Sequence, residues 1–292
     1  MTEPALLTRS SVRHPTWRDR FAPVVAAWRP LVAVAAVWLV VLVAAGLLLT
    51  GPLADSGIVG TDLAIERWLA EHRSSALDAL AEAGTWFSET FVVPVVLLVA
   101  IAVAWRKSTN VAAPVFLALA VAGEKLMYFI ASVVVGRDRP PVPTVGTTYA
   151  TSSFPSGHVA SAITLYGGIA LVVTAHRSHA ARRIALAVVG LIAATVALCR
   201  MYSGFHYLSD CVAGALTGAI WLTVTYRVVW VPGWIGATRR SGRVRQPLPE
   251  VRDGHSEAVG VRSGGGGPDG AGGGAGLGNG GRSHTTGQRA YW

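Results

Sequence analysis

Charged residues make up only 14% of this 292-residue chain, against 52% hydrophobic ones, and mean hydropathy is +0.46. Soluble domains with a polar surface rarely show so little charge with so much apolar content, which makes a membrane protein the first expectation. Cysteine is nearly absent. Cys199 and Cys211 are too few for a disulfide framework or a zinc site of the usual spacing, so both read as small core residues, with a single disulfide as the alternative. Acidic residues are also scarce, 16 against 25 basic ones, for a net charge of +9. The basic residues sit in short clusters beside apolar runs rather than along one amphipathic face, which argues against nucleic acid as a partner and for the bilayer.

The apolar runs are long. A helix needs about 20 apolar residues to cross a bilayer, and six stretches are candidates: Leu31 to Thr50, Phe91 to Trp105, which is short and expected to extend at its start, Val111 to Val135, Ser156 to Ala175, Ile184 to Met201 and Leu208 to Trp230. The first exceeds a signal-peptide core and lacks a small-residue cleavage site, so it reads as an uncleaved span. The expected fold is all-α, a six-transmembrane helical bundle. Arg9, Arg13, Arg18, Arg20 and Arg29 precede the first run, and Arg239, Arg240, Arg243 and Arg245 follow the last. Arg106 and Lys107, then Arg177, Arg182 and Arg183, occupy the second and fourth connections. By the positive-inside rule these clusters share the cytoplasmic side, which places both termini there and the other three connections outside.

Three sections follow. Residues 1–30 form a basic cytoplasmic segment, 31–232 the membrane domain, and 233–292 a Gly-rich cytoplasmic tail whose composition predicts disorder. In the first outer connection, Gly51 to Thr90, the spacing of Leu63, Trp68, Leu69, Leu77 and Leu80 predicts one or two short interfacial helices.

Polar residues interrupt the apolar chain at three places, all at outer ends of expected spans. GRDRPP brings Arg137 and Arg139 after the third span; SSFPSGH opens the fourth with Ser156, Gly157 and His158; CRMYSGFHYLSD carries Arg200, His206 and Asp210. Arginine offers a planar fork of donors matched to phosphate oxygens, so several arginines with serine hydroxyls at one mouth point to an oxyanion substrate. Anchoring of a helix end is the alternative for Arg137 and Arg139. Pro155 fits the first turn of a helix whose free N–H groups would face an anion, and Gly157 would let a phosphate approach the backbone. His206 and Asp210, four apart, share one face of a first turn if the last span begins near Phe205. Asp210 would accept from one ring N–H and leave the other nitrogen of His206 as a nucleophile, with His158 available for proton transfer. This set describes phosphoryl transfer with neither metal nor cofactor implied.

These motifs resemble the type 2 phosphatidic acid phosphatase family, the lipid phosphate phosphatases that share a fold with vanadium haloperoxidases. Arg139-Pro140 matches the end of its first motif, Pro155 to His158 its PSGH, and Arg200, His206 and Asp210 its third motif. The resemblance implies a phosphohistidine at His206, oriented by Asp210. His158 would protonate the leaving group and then activate water, while Arg139, Arg200, Ser156 and Gly157 hold the phosphate of a lipid substrate. Two positions depart from the pattern. Ser132 stands where the family has a lysine, and Cys199 where a serine usually precedes the third-motif arginine. Lys125 lies a further seven residues back, about 10 Å along a helix, which leaves Arg137 as the expected substitute. A lipid phosphotransferase, or a catalytically degenerate relative that binds or transports lipid, are the alternatives to hydrolysis.

Overall fold

The computed structural model describes residues 17–107, 111–146 and 152–232, all within one unit, Met1–Gln246. Residues 1–16 of the basic leader and the Gly-rich tail from 233 onward lie outside the described residues. Eight α-helices follow one another among the described residues: α1 (Trp17–Thr50), α2 (Gly57–Glu71), α3 (Ser75–Thr85), α4 (Val92–Lys107), α5 (Ala112–Val135), α6 (Gly157–Val173), α7 (His179–Tyr202) and α8 (Leu208–Thr225). A 3₁₀ turn at Trp86–Ser88 joins α3 to α4, and a π turn at Tyr226–Trp230 extends α8.

Four helical stretches are long and apolar enough to cross a membrane: Trp28–Thr50, Ala112–Val135, His179–Tyr202 and Leu208–Trp230. A fifth arises if Ser75–Ser88 and Val92–Lys107, bent by 40°, act as one broken span. The expected fourth span, Ser156 to Ala175, is the 17-residue α6, whose length of about 26 Å is at the short end of what a bilayer needs. Large apolar side chains face outward along the long helices, among them Val37 and Val40 of α1, Leu126, Phe129 and Val133 of α5, and Leu191 and Leu198 of α7. In water such faces would be costly; in lipid they are solvated.

The two connecting helices α2 and α3 occupy the segment where short helices are expected. Ile58, Trp68, Leu77 and Leu80 are exposed on them, yet the buried face of α2 is acidic, with Asp62 and Glu66 one turn apart. Ser74 caps α3 by accepting from the Leu77 N–H.

Helix α6 is the centre of the bundle, packed on α5, α7 and α8. Small residues permit this. A Cβ at Gly214 would collide with the Ser156 carbonyl oxygen, and one at Gly218 would lie 2.8 Å from that of Ala160. The GxxxG spacing therefore brings α8 against the start of α6, as in membrane helix pairs generally. Two indoles cross-link the same core: Trp38 Nε1 donates to Thr217 Oγ1 at 3.2 Å and Trp221 Nε1 to the Leu119 carbonyl at 3.0 Å. Phe116, Leu117, Ala120, Met127, Leu222 and Trp230 fill the space at the other end of the bundle from the polar motifs. Gly214→Val is expected to force these helices apart and lower thermal stability in detergent by roughly 1–3 kcal/mol; unchanged melting would contradict the close contact.

Candidate active site

The three polar motifs meet where α5 ends and α6 and α8 begin. Gly136 caps α5 in the left-handed region, φ 59°, and its N–H donates to the Ser132 carbonyl, which turns the chain out of the helix. The following segment returns through Ser153, whose N–H donates to the Arg137 carbonyl at 2.8 Å. Ser156 then caps α6 and donates its N–H to the Asp210 carbonyl at 3.0 Å. Pro155 thus precedes the cap rather than entering the first turn of the helix.

His206 is 3% exposed and stands just before α8, since Tyr207 is the N-cap. Its Nδ1 is 2.7 Å from the Ser153 carbonyl oxygen. A carbonyl can only accept, so Nδ1 carries the proton of the neutral ring and Nε2 is left with its lone pair. Burial, with the positive charges of Arg200 and Arg139, pushes the His206 pKa well below 6.5 against the opposing pull of the Ser153 bond. The structure corrects the expected role of Asp210. Its Oδ2 is 3.9 Å from Nδ1, too far for a hydrogen bond, and instead accepts from the Tyr207 N–H at 2.9 Å. Asp210 therefore holds the start of α8, and the Ser153 carbonyl fixes the tautomer.

The sequence reading also misplaces Arg137. Its guanidinium is buried and turned toward carboxylates: Nη1 donates to Asp210 Oδ1 at 2.6 Å and to Ser209 Oγ at 2.7 Å, and Nη2 to Asp62 Oδ2 at 3.1 Å. It also stacks on the Tyr207 ring at 4.1 Å. With these donors committed, Arg137 is a brace and not a substitute phosphate ligand. Ser132, at the departed lysine position, is buried beneath the same corner.

Arg139 and Arg200 do converge. Both guanidinium groups lie over the Phe205 ring, at 5.3 and 4.2 Å, and Arg139 Nη1 donates to the Phe205 carbonyl at 3.2 Å. Two like charges on one ring repel each other, and an anion between them relieves that repulsion. The His158 ring stands 6.4 Å from that of His206, centroid to centroid, tilted by 56°. Beside this gap His158 Nε2, and on Phe205 Arg200 Nε, are buried without hydrogen-bond partners. Such atoms are costly unless a ligand satisfies them. Gly157 also serves the packing of two helices. A Cβ there would lie 2.9 Å from the Tyr128 ring, so glycine lets α5 and α6 close on each other.

The family model described as PAP2 superfamily matches residues 113–234, which contain all three motifs. The matched segment belongs to the PAP2 superfamily. Its fold is similar to that of a transmembrane PAP2 type phosphatidylglycerolphosphate phosphatase from Bacillus subtilis, with a TM-score of 0.55 and 19% identity over 70% of this chain and 94% of that one. LpxE of Aquifex aeolicus is also similar, with a TM-score of 0.45 and 23% identity over 56% of this chain and 94% of that one. No curated protein sequence matches the chain.

Sequence reasoning missed Ser153, Asp62 and Ser209. The PAP2 segment contains Ser153 and Ser209, but Asp62 comes from outside it: its carboxylate accepts from the Ser209 N–H at 3.0 Å and from the Ser209 hydroxyl. Asp62 and Glu66 spaced four apart on one helix face were the only sequence signal. Removing Asp62 (Asp62→Ala) is expected to destabilise by about 3–5 kcal/mol, because Arg137 loses a buried partner; chemical or thermal unfolding measures it. Glu66 behaves oppositely. It is fully buried, both oxygens lack partners, and burial together with Asp210 and Asp62 raises its pKa to about 8 against the pull of Arg73. The folded state keeps this proton while the unfolded state loses it above about 4.5, so stability falls as pH rises between the two values. Glu66→Gln should therefore melt at a higher temperature than the parent at pH 8, with the gap closing toward pH 4.5; an equal gap at both pH values would refute this.

Proposed function

We propose that this chain is an integral membrane phosphatase that hydrolyses the phosphate or diphosphate group of a lipid through a phosphohistidine at His206, without a metal ion. The observation that carries the reading is the Nδ1–H of His206 on the Ser153 carbonyl, which exposes an unprotonated Nε2 beside two arginines. In the first step Nε2 attacks phosphorus and the bond from phosphorus to the leaving oxygen breaks. His158 gives its proton to that oxygen. In the second step His158 removes a proton from water, which attacks the phosphohistidine and releases inorganic phosphate. Arg139 and Arg200 neutralise the charge on the equatorial oxygens, and Ser156 Oγ with the free N–H groups opening α6 adds donors. Asp210 acts as a positioning residue through Tyr207 and Arg137.

Membership of the PAP2 superfamily supports this reaction class, and apolar faces on the long helices support a lipid as the natural substrate. We further infer six crossings, with α6 and the bent α3–α4 pair completing the set. Arginine asymmetry then supports cytoplasmic termini and an extracytoplasmic site, with residues 31–232 as the membrane domain between the basic leader and the Gly-rich tail.

Purified protein in detergent with EDTA is expected to release phosphate from phosphatidate, phosphatidylglycerol phosphate or a polyprenyl diphosphate, and His206→Ala to lose at least about 10³-fold of that rate. In His158→Ala, slower hydrolysis should let a ³²P-labelled phosphohistidine accumulate; absence of label on His206 in both forms would overturn the covalent mechanism. Because protonated His206 cannot attack, activity is lost as pH falls through its pKa. The acid limb of kcat/KM should therefore lie below the usual histidine range near 6.5.

A further inference from the structure

The phosphatase reading leaves one cation on α5 unused. Lys125 lies ten residues before Val135, the outer end of α5, about 15 Å down the helix. A lysine at this depth is expensive unless it serves a ligand or a pair. The nearest acid does not engage it fully: Lys125 Nζ is 3.9 Å from Glu124 Oε2, beyond hydrogen-bond reach, and that oxygen accepts from the Ser161 hydroxyl at 3.1 Å. The Lys125 side chain is 42% exposed, whereas Glu124 is fully buried. Its ammonium sits 5.5 Å over the Tyr128 ring, and Tyr128 in turn packs against Gly157, the neighbour of His158. Tyr128 also lies within electrostatic range of Arg139 and Arg200, and Lys125 within range of the His158 ring.

The position of this pair matters as much as its charge. Leu126, Phe129 and Val133 form the outward apolar stripe of α5, exposed by 60%, 63% and 67%. Glu124, Met127 and Ala131 face inward. Lys125 and Tyr128 lie on the seam between the two faces, where a lipid tail lying along the stripe would present its head group to the site. A monophosphate held between Arg139 and Arg200 would leave Lys125 without an anion. A diphosphate places its second phosphate one step closer to the tail, on the side where Lys125 and Tyr128 stand.

We propose that Lys125 and Tyr128 form a second anion subsite on the lipid-facing seam of α5, which takes the phosphate nearer the tail and makes a lipid diphosphate the preferred substrate. The proposal rests on the phosphatase reading. His206 attacks the outer phosphorus, the bond to the bridging oxygen breaks, and a lipid monophosphate departs. Water then hydrolyses the phosphohistidine to inorganic phosphate. Charge that develops on the departing phosphate is met by the Lys125 ammonium and a hydrogen bond from the Tyr128 hydroxyl.

The test compares the full-length protein in detergent with EDTA on a polyprenyl diphosphate and a polyprenyl monophosphate of the same tail. The parent is expected to favour the diphosphate by about tenfold or more in kcat/KM. Lys125→Met, long and apolar, should lower that preference about tenfold, Tyr128→Phe should lower it less, and Lys125→Arg should retain it. An equal loss on both substrates, or an unchanged ratio, would overturn the second subsite while leaving the phosphatase reading intact. Should the parent release phosphate from neither lipid, nor from phosphatidate or phosphatidylglycerol phosphate, the phosphatase reading fails instead. The subsite is then decided by binding of the two lipids to the parent and to Lys125→Met: selective weakening of the diphosphate supports it, and equal affinities overturn it.

Discussion

The guanidinium of Arg137, held between Asp62 and Asp210 inside the protein, is the constraint from which the rest of the site follows. It joins three pieces of chain distant in sequence: the connecting helix α2, the segment leaving α5, and the first turn of α8. A buried ion triad contributes little net stability compared with apolar packing, but each member becomes costly to remove. Its value is therefore positional. With Asp210 fixed by Arg137, the same carboxylate caps the Tyr207 N–H and sets where α8 begins. His206 is left one residue outside the helix, free to turn its Nδ1 toward Ser153.

That geometry works only because α6 arrives at the same place. The glycines at 214 and 218 let α8 touch the backbone of α6, and Ser156 donates directly to the Asp210 carbonyl. The cap of one helix is thus tied to the first turn of the other, and His158 and His206 become neighbours without touching. Phe205 completes the assembly by carrying both guanidinium groups on one ring. Positive charges held close, with Arg200 Nε and the nearby His158 Nε2 buried and unsatisfied, are poor for an empty protein and well suited to a bound oxyanion.

The connecting helices α2 and α3 are tied to the rest of the bundle by specific polar contacts. Arg73, between them, donates to the carbonyls of Tyr202 and Pro143, at 2.7 and 2.5 Å; the Ser74 N–H donates to the Tyr202 hydroxyl, which donates to Asp78 Oδ1 at 2.8 Å. These contacts tie the helices to the end of α7 and to the segment after α5. Glu66, buried beside Asp62 with no partner for either oxygen, keeps an added negative charge out of the brace as long as it remains protonated.

The sequence by itself determined what depends on composition and local chemistry. Apolar runs define the long helices because a bilayer accepts only backbone that is internally hydrogen-bonded. Arg139, Ser156, His158, Arg200 and His206 stood out because polar residues at the ends of such runs are few. Helix periodicity also foretold short helices between the first two runs. Tertiary structure decided which polar groups face one another. Nothing local distinguishes Arg137 from Arg139, two residues apart on an extended segment; only the arrival of Asp62 from α2 turns one into a brace and leaves the other over the Phe205 ring. The spacing of His206 and Asp210 suggested a direct pair, but the helix starts one residue too late for it, and the Ser153 backbone carbonyl accepts the Nδ1–H instead. Backbone acceptors carry no sequence signature, and buried ion pairs across distant segments exist only once the chain has closed, which is why these two features were beyond the reach of the sequence.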